Sequence, residues 1–184
     1  GSDGFLIIIY FFIIIDILIL QYLLKINIFS YYLSLILLPV IIVFFIFNKP
    51  QAKIYMGDAG SIFLGFIGGF IFLEILLTRN IAFCFAVFAY PFVDCTLTLI
   101  KKLRKGYMPW VGLYDYYFLK PILKNKINHK NVLFFSIVYN LINTVNIILL
   151  IKFNLDFLCL VSYLLSIILI YIFNEMEGNL KKIK

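Results

Sequence analysis

Apolar residues in this chain fall in long unbroken runs rather than in alternation or a narrow helical stripe. Six runs approach the roughly 20 apolar residues a helix needs to cross the hydrocarbon of a bilayer. They cover approximately 5–24, 29–47, 61–78, 80–100, 132–151 and 155–173. Barrel strands would alternate lipid-facing and lumen-facing residues, and these runs do not. In lipid a helix then satisfies every backbone donor and acceptor. The pattern predicts an all-α, polytopic transmembrane helix bundle with about six spans. Two substantial polar stretches interrupt it, 48–60 and 101–131. No internal repeat, low-complexity tract or linker divides residues 1–184, which read as a single membrane domain.

Composition supports the bilayer. The 184 residues are 64% hydrophobic and 14% charged, against about 45–50% and about 25% in soluble domains. A soluble globule of this size cannot bury so much apolar surface. The net charge of +7 matters through its placement. Lys49, Lys53, Lys101, Lys102, Arg104, Lys105, Lys120, Lys124, Lys126, Lys130, Lys181, Lys182 and Lys184 fall on one side of the threading, and Lys25, Arg79 and Lys152 on the other. The positive-inside rule puts the first group, with both termini, in the cytoplasm. Cys84, Cys95 and Cys159 lie in or beside apolar runs without metal-binding or disulfide spacing and read as small buried hydrophobes. No signal peptide is visible, and nucleic acid is not an expected partner.

Chemistry concentrates in the stretch Asn48-Lys49-Pro50-Gln51-Ala52-Lys53-Ile54-Tyr55-Met56-Gly57-Asp58-Ala59-Gly60-Ser61. Pro50 stops the preceding helix. Gly57 and Gly60 flank Asp58 and allow a tight turn, and Ser61 is suited to cap the next helix. A carboxylate beside a helix N-terminus suits Mg²⁺ with phosphate, because Mg²⁺ takes one or two protein carboxylates plus waters and phosphates. The helix end attracts phosphate oxygens, and Lys53 adds a point charge. An ordinary capped loop is the bland alternative.

The string Pro50-x-Ala52-Lys53-Ile54-x-Met56-Gly57-Asp58-x-Gly60-Ser61-x-x-Leu64-Gly65 resembles a signature of the polyprenyl-phosphate N-acetylhexosamine-1-phosphate transferases, glycosyltransferase family 4. That family includes enzymes that start O-antigen and teichoic acid linkage units, and the phospho-N-acetylmuramoyl-pentapeptide transferase of peptidoglycan synthesis. Gly1-Ser2-Asp3-Gly4, followed by an apolar run, is similar to the end of the family's D-G-x-D-G motif. Pro91-Phe92-Val93-Asp94 with Lys101-Lys102 and Gly106 matches its P-x-x-D segment. The chain departs from the family in its long loop. Positions that carry histidine there fall on Tyr114, Tyr117, Leu119 and Lys120, and only His129 remains. The family's D-D-x-x-D motif does not occur, so the chain is expected to be the C-terminal part of a larger transferase and inactive alone.

The resemblance implies a reaction. A polyprenyl-phosphate oxygen, such as that of undecaprenyl phosphate, attacks the β-phosphorus of a UDP-N-acetylhexosamine. UMP leaves, and cell-envelope glycan synthesis begins at the cytoplasmic face of a bacterial inner membrane. Mg²⁺ is the implied cofactor, with Mn²⁺ a substitute. Asp58 is the implied metal ligand and, with Asp3, the catalytic acid residue. Asn48, Lys53, Gly57, Gly60, Ser61, Asp94, Lys101, Lys102 and His129 are the implied substrate-binding residues. The bilayer is a partner, and a homo-oligomer is compatible with the chain.

Some polar residues lie inside the runs. Asp16, Glu74 and the series Asn140, Asn143, Asn146 read as contacts between helices, and Gly65, Gly68 and Gly69 as sites of close helix packing. In the competing class, a transporter or a degenerate scaffold homologue, Asp16, Glu74 and the asparagines would line a polar pathway near the midplane. The motifs cluster instead at one membrane face, which favours the enzyme.

Overall fold

The computed structural model describes residues 4–25, 29–78, 81–109, 116–125 and 128–178. All regular structure among them is helical: α1 (Phe5–Leu24), α2 (Phe29–Asn48), α3 (Gly57–Leu77), α4 (Ile81–Val87), α5 (Ala89–Arg104), α6 (Lys120–Asn125), α7 (His129–Phe153) and α8 (Leu158–Gly178). Five helices are long and apolar enough to cross a membrane, and the bent pair α4 and α5 makes a sixth if it is counted as one span. This is a multi-pass membrane bundle, as the runs predicted.

The centre of the bundle is α1. It packs against α2 and α7, while α8 packs against α7, α4, α5 and α6. Ile7, Ile14, Ile17 and Leu20 of α1 are almost wholly enclosed, together with Ile71, Ile75, Phe83, Ile147 and Phe173. By contrast, α2 and α3 leave large apolar side chains outside, such as Phe66 at 75% and Leu77 at 84% exposure. In a bilayer those faces meet lipid.

Polar groups inside the spans are used between elements. Thr144 donates to Asp16 at 2.8 Å, tying α7 to α1. Asn146 donates to the Leu158 carbonyl and to Ser162, both at 2.9 Å, at the α7–α8 turn. Glu74 accepts from the backbone N–H groups of Phe29 at 2.6 Å and Ser30 at 2.7 Å, and from the Ser30 hydroxyl. It therefore caps α2 from the end of α3, satisfying donors that have no partner within the helix. Asn140 differs, since it bonds the Ser136 carbonyl of its own helix. Of the three glycines, Gly68 alone meets a neighbour: a Cβ there would lie 2.5 Å from the Tyr10 hydroxyl, which itself donates to the Leu64 carbonyl at 2.5 Å. Gly65 and Gly69 have open space beside them.

Two expectations fail in detail. The run 80–100 is not one straight helix; it breaks between α4 and α5 with a bend of 66°. Pro91 explains the break. It has no N–H for the carbonyl of Val87, and its ring clashes with the preceding turn. The neighbouring Ala86 carbonyl receives the Asn143 side-chain amide at 3.2 Å instead. Nor does Ser61 cap α3. That helix starts a turn earlier, at Gly57, and the Ser61 hydroxyl bonds the Asp58 carbonyl within it at 3.2 Å.

Candidate functional site

At one end of the bundle the start of α1, the end of α2, the start of α3 and the middle of α5 meet around a cleft of about 600 Å³. Its geometry begins at Gly4. That residue holds φ +71°, and a Cβ there would come within 2.8 Å of Leu133, so glycine is needed for both conformation and space. The Gly4 N–H donates to Asn48 Oδ1 at 2.9 Å. The Asn48 amide then donates to the Ile54 carbonyl at 2.7 Å. One buried side chain thereby clamps the entry of α1 to the polar loop 49–56. The Lys53 N–H, bonded to the Phe47 carbonyl at 2.8 Å, folds the loop back on α2.

The loop ends at Gly57, which has φ +61° and opens α3. Among the described residues no side chain caps this helix; the preceding position is Met56. The first amides of α3 therefore stay open beside Asp58, at the positive end of the helix dipole. Gly57, Asp58 and Ser61 all line the cleft.

The opposite wall comes from α5. The bend after α4 brings Tyr90, Pro91, Asp94 and Cys95 to the cleft. Tyr90 and Asp94 share one helical face by their spacing of four, and both are buried. Asp94 accepts the Tyr117 N–H at 3.1 Å, which fastens the Tyr116–Leu119 turn over the cleft. Lys120 is buried, stands 3.3 Å from the Tyr117 ring centroid and donates to Asn174 of α8 at 3.4 Å. Its charge acts on Asp94. The inner lining is apolar: Phe5, Leu6, Ile9, Phe118 and Leu119. Phe5 stacks on Phe118 with ring centroids 4.3 Å apart.

Of the residues singled out in the sequence, Asn48, Gly57, Asp58, Ser61 and Asp94 therefore line one cleft. Lys53 is exposed on the loop outside the lining. Gly60 sits behind it, where a Cβ would lie 2.5 Å from Met56 Cγ. Lys101 and Lys102 lie a helical turn or more past Asp94, and Lys102 is buried, 6.0 Å from the Tyr116 ring centroid. His129 begins α7 and does not reach the lining. Asp3 and Tyr114 lie outside the described residues. The aromatic side chains Tyr55, Tyr90, Tyr116 and Phe118 were not anticipated. Tyr90, four residues before Asp94, carried a readable signal; the others depend on how the loops fold.

Among the described residues no group of three or more His, Cys, Asp or Glu could hold a metal ion. What the cleft offers a cation is the Asp58 carboxylate, with Asp94 across it committed to Tyr117. That donor set fits Mg²⁺, which needs only one or two carboxylates when phosphates and waters complete its shell. It does not fit an ion that requires an all-protein cage.

A family model described as Glycosyl transferase family 4 matches residues 1–76. The match spans α1, α2, the polar loop and nearly all of α3, but not the α5 wall. No curated protein and no solved structure matches the chain.

Proposed function

On the premise that residues 1–76 belong to glycosyl transferase family 4, the family of polyprenyl-phosphate sugar-phosphate transferases, we propose that this chain carries the site for transfer of a sugar 1-phosphate from a UDP-N-acetylhexosamine to polyprenyl phosphate. An oxygen of the lipid phosphate bonds to the β-phosphorus. The bond from that phosphorus to the bridging oxygen breaks, and UMP leaves. The observation that carries this reading is the composition of the cleft: open helix amides and a carboxylate on one wall, an apolar floor running into the membrane.

The nucleophile needs little activation, because a phosphate monoester with a second pKa near 6 is largely ionised at neutral pH. The protein's task is to align two anions and offset their charge. The open amides of Gly57 and Asp58 suit phosphoryl oxygens. Asp58 would hold Mg²⁺, or Mn²⁺ in its place, and the ion would neutralise charge between the two phosphates. The apolar floor of Phe5, Leu6 and Ile9 suits the first isoprene units. The turn held by Asp94, Tyr117 and Lys120 closes the far side and limits water. Lys53, exposed on the loop before Asp58, would raise the local concentration of anionic substrate. The lysine-rich end of the bundle is the cytoplasmic one in this reading, where a UDP-sugar is available.

The intramembrane polar groups give no support to the transporter reading, since Asp16, Glu74 and Asn146 are engaged between helices. The test, on the intact transferase rather than this chain alone, is UMP release from UDP-N-acetylhexosamine with polyprenyl phosphate in detergent. Asp58→Asn is expected to cost about 3 kcal/mol in the barrier, over a hundredfold in rate. Near-normal turnover would refute the role of Asp58. Cys95, expected from the sequence to be buried, is exposed and lines the cleft, and so gives a separate reading of binding. UDP-sugar should slow its alkylation, and unchanged alkylation at saturating nucleotide would remove the nucleotide from this cleft.

A further inference from the structure

A second groove, of about 510 Å³, lies between the end of α2 and the first two turns of α7. It is lined by Phe45, Lys49, Pro50 and Gln51 from one side and by Lys130, Leu133, Phe134 and Ile137 from the other. Among the described residues no carboxylate is in that lining. The register is orderly. On α2, Phe45 precedes Lys49 by four residues. On α7, Leu133, Phe134 and Ile137 follow Lys130 by three, four and seven, which is one helical face. Both helices therefore place a lysine at the membrane-surface end; at 1.5 Å per residue, the apolar stripe of α7 runs about 10 Å toward the bilayer interior, and Phe45 of α2 lies about 6 Å below Lys49. Lys49 and Lys130 are exposed, and Phe134 is 61% exposed on the lipid-facing side.

We propose that this groove binds one anionic glycerophospholipid, with its phosphate between Lys49 and Lys130 and an acyl chain along Phe45, Leu133, Phe134 and Ile137. Charge complementarity selects the headgroup, and the depth of the stripe selects a lipid over a free anion. The occupant is not the lipid substrate of the proposed reaction. The groove is separated from the cleft by the Gly4–Asn48 layer: Gly4 packs against Leu133, Phe45 and Lys49 on the groove side, and Asn48 lines the cleft on the other. A phosphate at Lys49 and Lys130 has no path to Asp58 through that layer. A lipid seated there would instead brace the backs of the residues that hold Gly4, coupling membrane composition to the clamp at the cleft.

The experiment uses the full chain in mild detergent, with phosphatidylglycerol or phosphatidylcholine of identical acyl chains added, and native mass spectrometry as the readout. One phosphatidylglycerol is expected to be retained per chain. Two interfacial lysines at about 1 kcal/mol each correspond to about thirtyfold preference over phosphatidylcholine. Lys49→Gln with Lys130→Gln should bring that preference close to unity, while Lys152→Gln, at the opposite end of α7, should leave it intact. Phe134→Ser should weaken retention of both lipids and keep the preference. Equal retention of the two lipids by the unaltered chain would overturn the proposal. So would a preference that survives the double lysine substitution, or displacement of phosphatidylglycerol by stoichiometric polyprenyl phosphate, which would make the groove a substrate dock. None of these readouts depends on turnover, so failure here is distinguishable from failure of the proposed reaction.

Discussion

Asn48→Ala isolates the clamp. The Asn48 side chain is 5% exposed and makes two bonds, accepting from the Gly4 N–H at 2.9 Å and donating to the Ile54 carbonyl at 2.7 Å. Alanine removes both and leaves a backbone donor and acceptor without these partners. Each orphaned group costs about 1–3 kcal/mol, so the pair amounts to about 2–6 kcal/mol. For a chain of this size 1 kcal/mol shifts the melting temperature by about 2–4 °C, which puts the loss at roughly 4–24 °C. Thermal unfolding in detergent, followed by intrinsic fluorescence, measures it. Asn140→Ala is the comparison, because its bond to Ser136 lies within one helix and should matter less. The same variant should also lower UMP release at least tenfold, because Gly4 and the loop before Asp58 lose their common anchor. A melting temperature within 2 °C of the parent, together with unchanged turnover, would refute the clamp.

The remaining expectations are brief. Gly68→Ala should destabilise the bundle, since its Cβ would strike the Tyr10 hydroxyl, while Gly69→Ala, with open space beside it, should be neutral or stabilising by up to about 1 kcal/mol through helix propensity; equal effects in thermal unfolding would contradict the packing. Pro91→Ala should reduce the bend between α4 and α5 and draw Asp94 from the cleft wall, lowering turnover at least tenfold while the melting temperature holds or rises; full turnover would mean the bend is dispensable. With Cys84, Cys95 and Cys159 replaced, single cysteines at Lys53 and Tyr107 should react with an impermeant reagent from the cytoplasmic side and one at Lys25 from the other; labelling of Lys53 from outside would reverse the orientation.

Much of the fold could be read because lipid imposes a simple rule. Runs of about 20 apolar residues become helices, and α1 and α2 begin and end within a residue of where the runs do. The rule is silent about what happens inside a run. Pro91 sat in plain sight within 80–100, yet a bend requires another group to satisfy the freed carbonyls, and Asn143, 57 residues from Ala86, supplies one of the donors. Ser61 was misplaced for a related reason. Gly57 tolerates the left-handed conformation, so α3 starts a turn before the expected cap. At the site, the residues that meet across the cleft come from three separated stretches; the local setting marked Asp58, and the family resemblance marked Asn48 and Asp94. The aromatic lining of Tyr116 and Phe118 could not be read this way, because loop residues obey no period.

The departures from the family pattern acquire a physical meaning in the structure. Of the four positions that carry histidine in the resembling family, Tyr114 lies outside the described residues, and Tyr117, Leu119 and Lys120 serve one arrangement: the Tyr117 N–H holds Asp94, Leu119 lines the cleft, and Lys120 lies against the Tyr117 ring with its charge acting on Asp94. A lysine presents a single ammonium donor, whereas a histidine presents two distinct ring nitrogens. A buried lysine locked between an aromatic ring and Asn174 also has less freedom than a histidine on an open loop. This end of the cleft therefore supplies a fixed cation and a fixed turn rather than a proton carrier. That is consistent with a reaction whose nucleophile arrives already ionised and asks the protein for position and charge, not for a base.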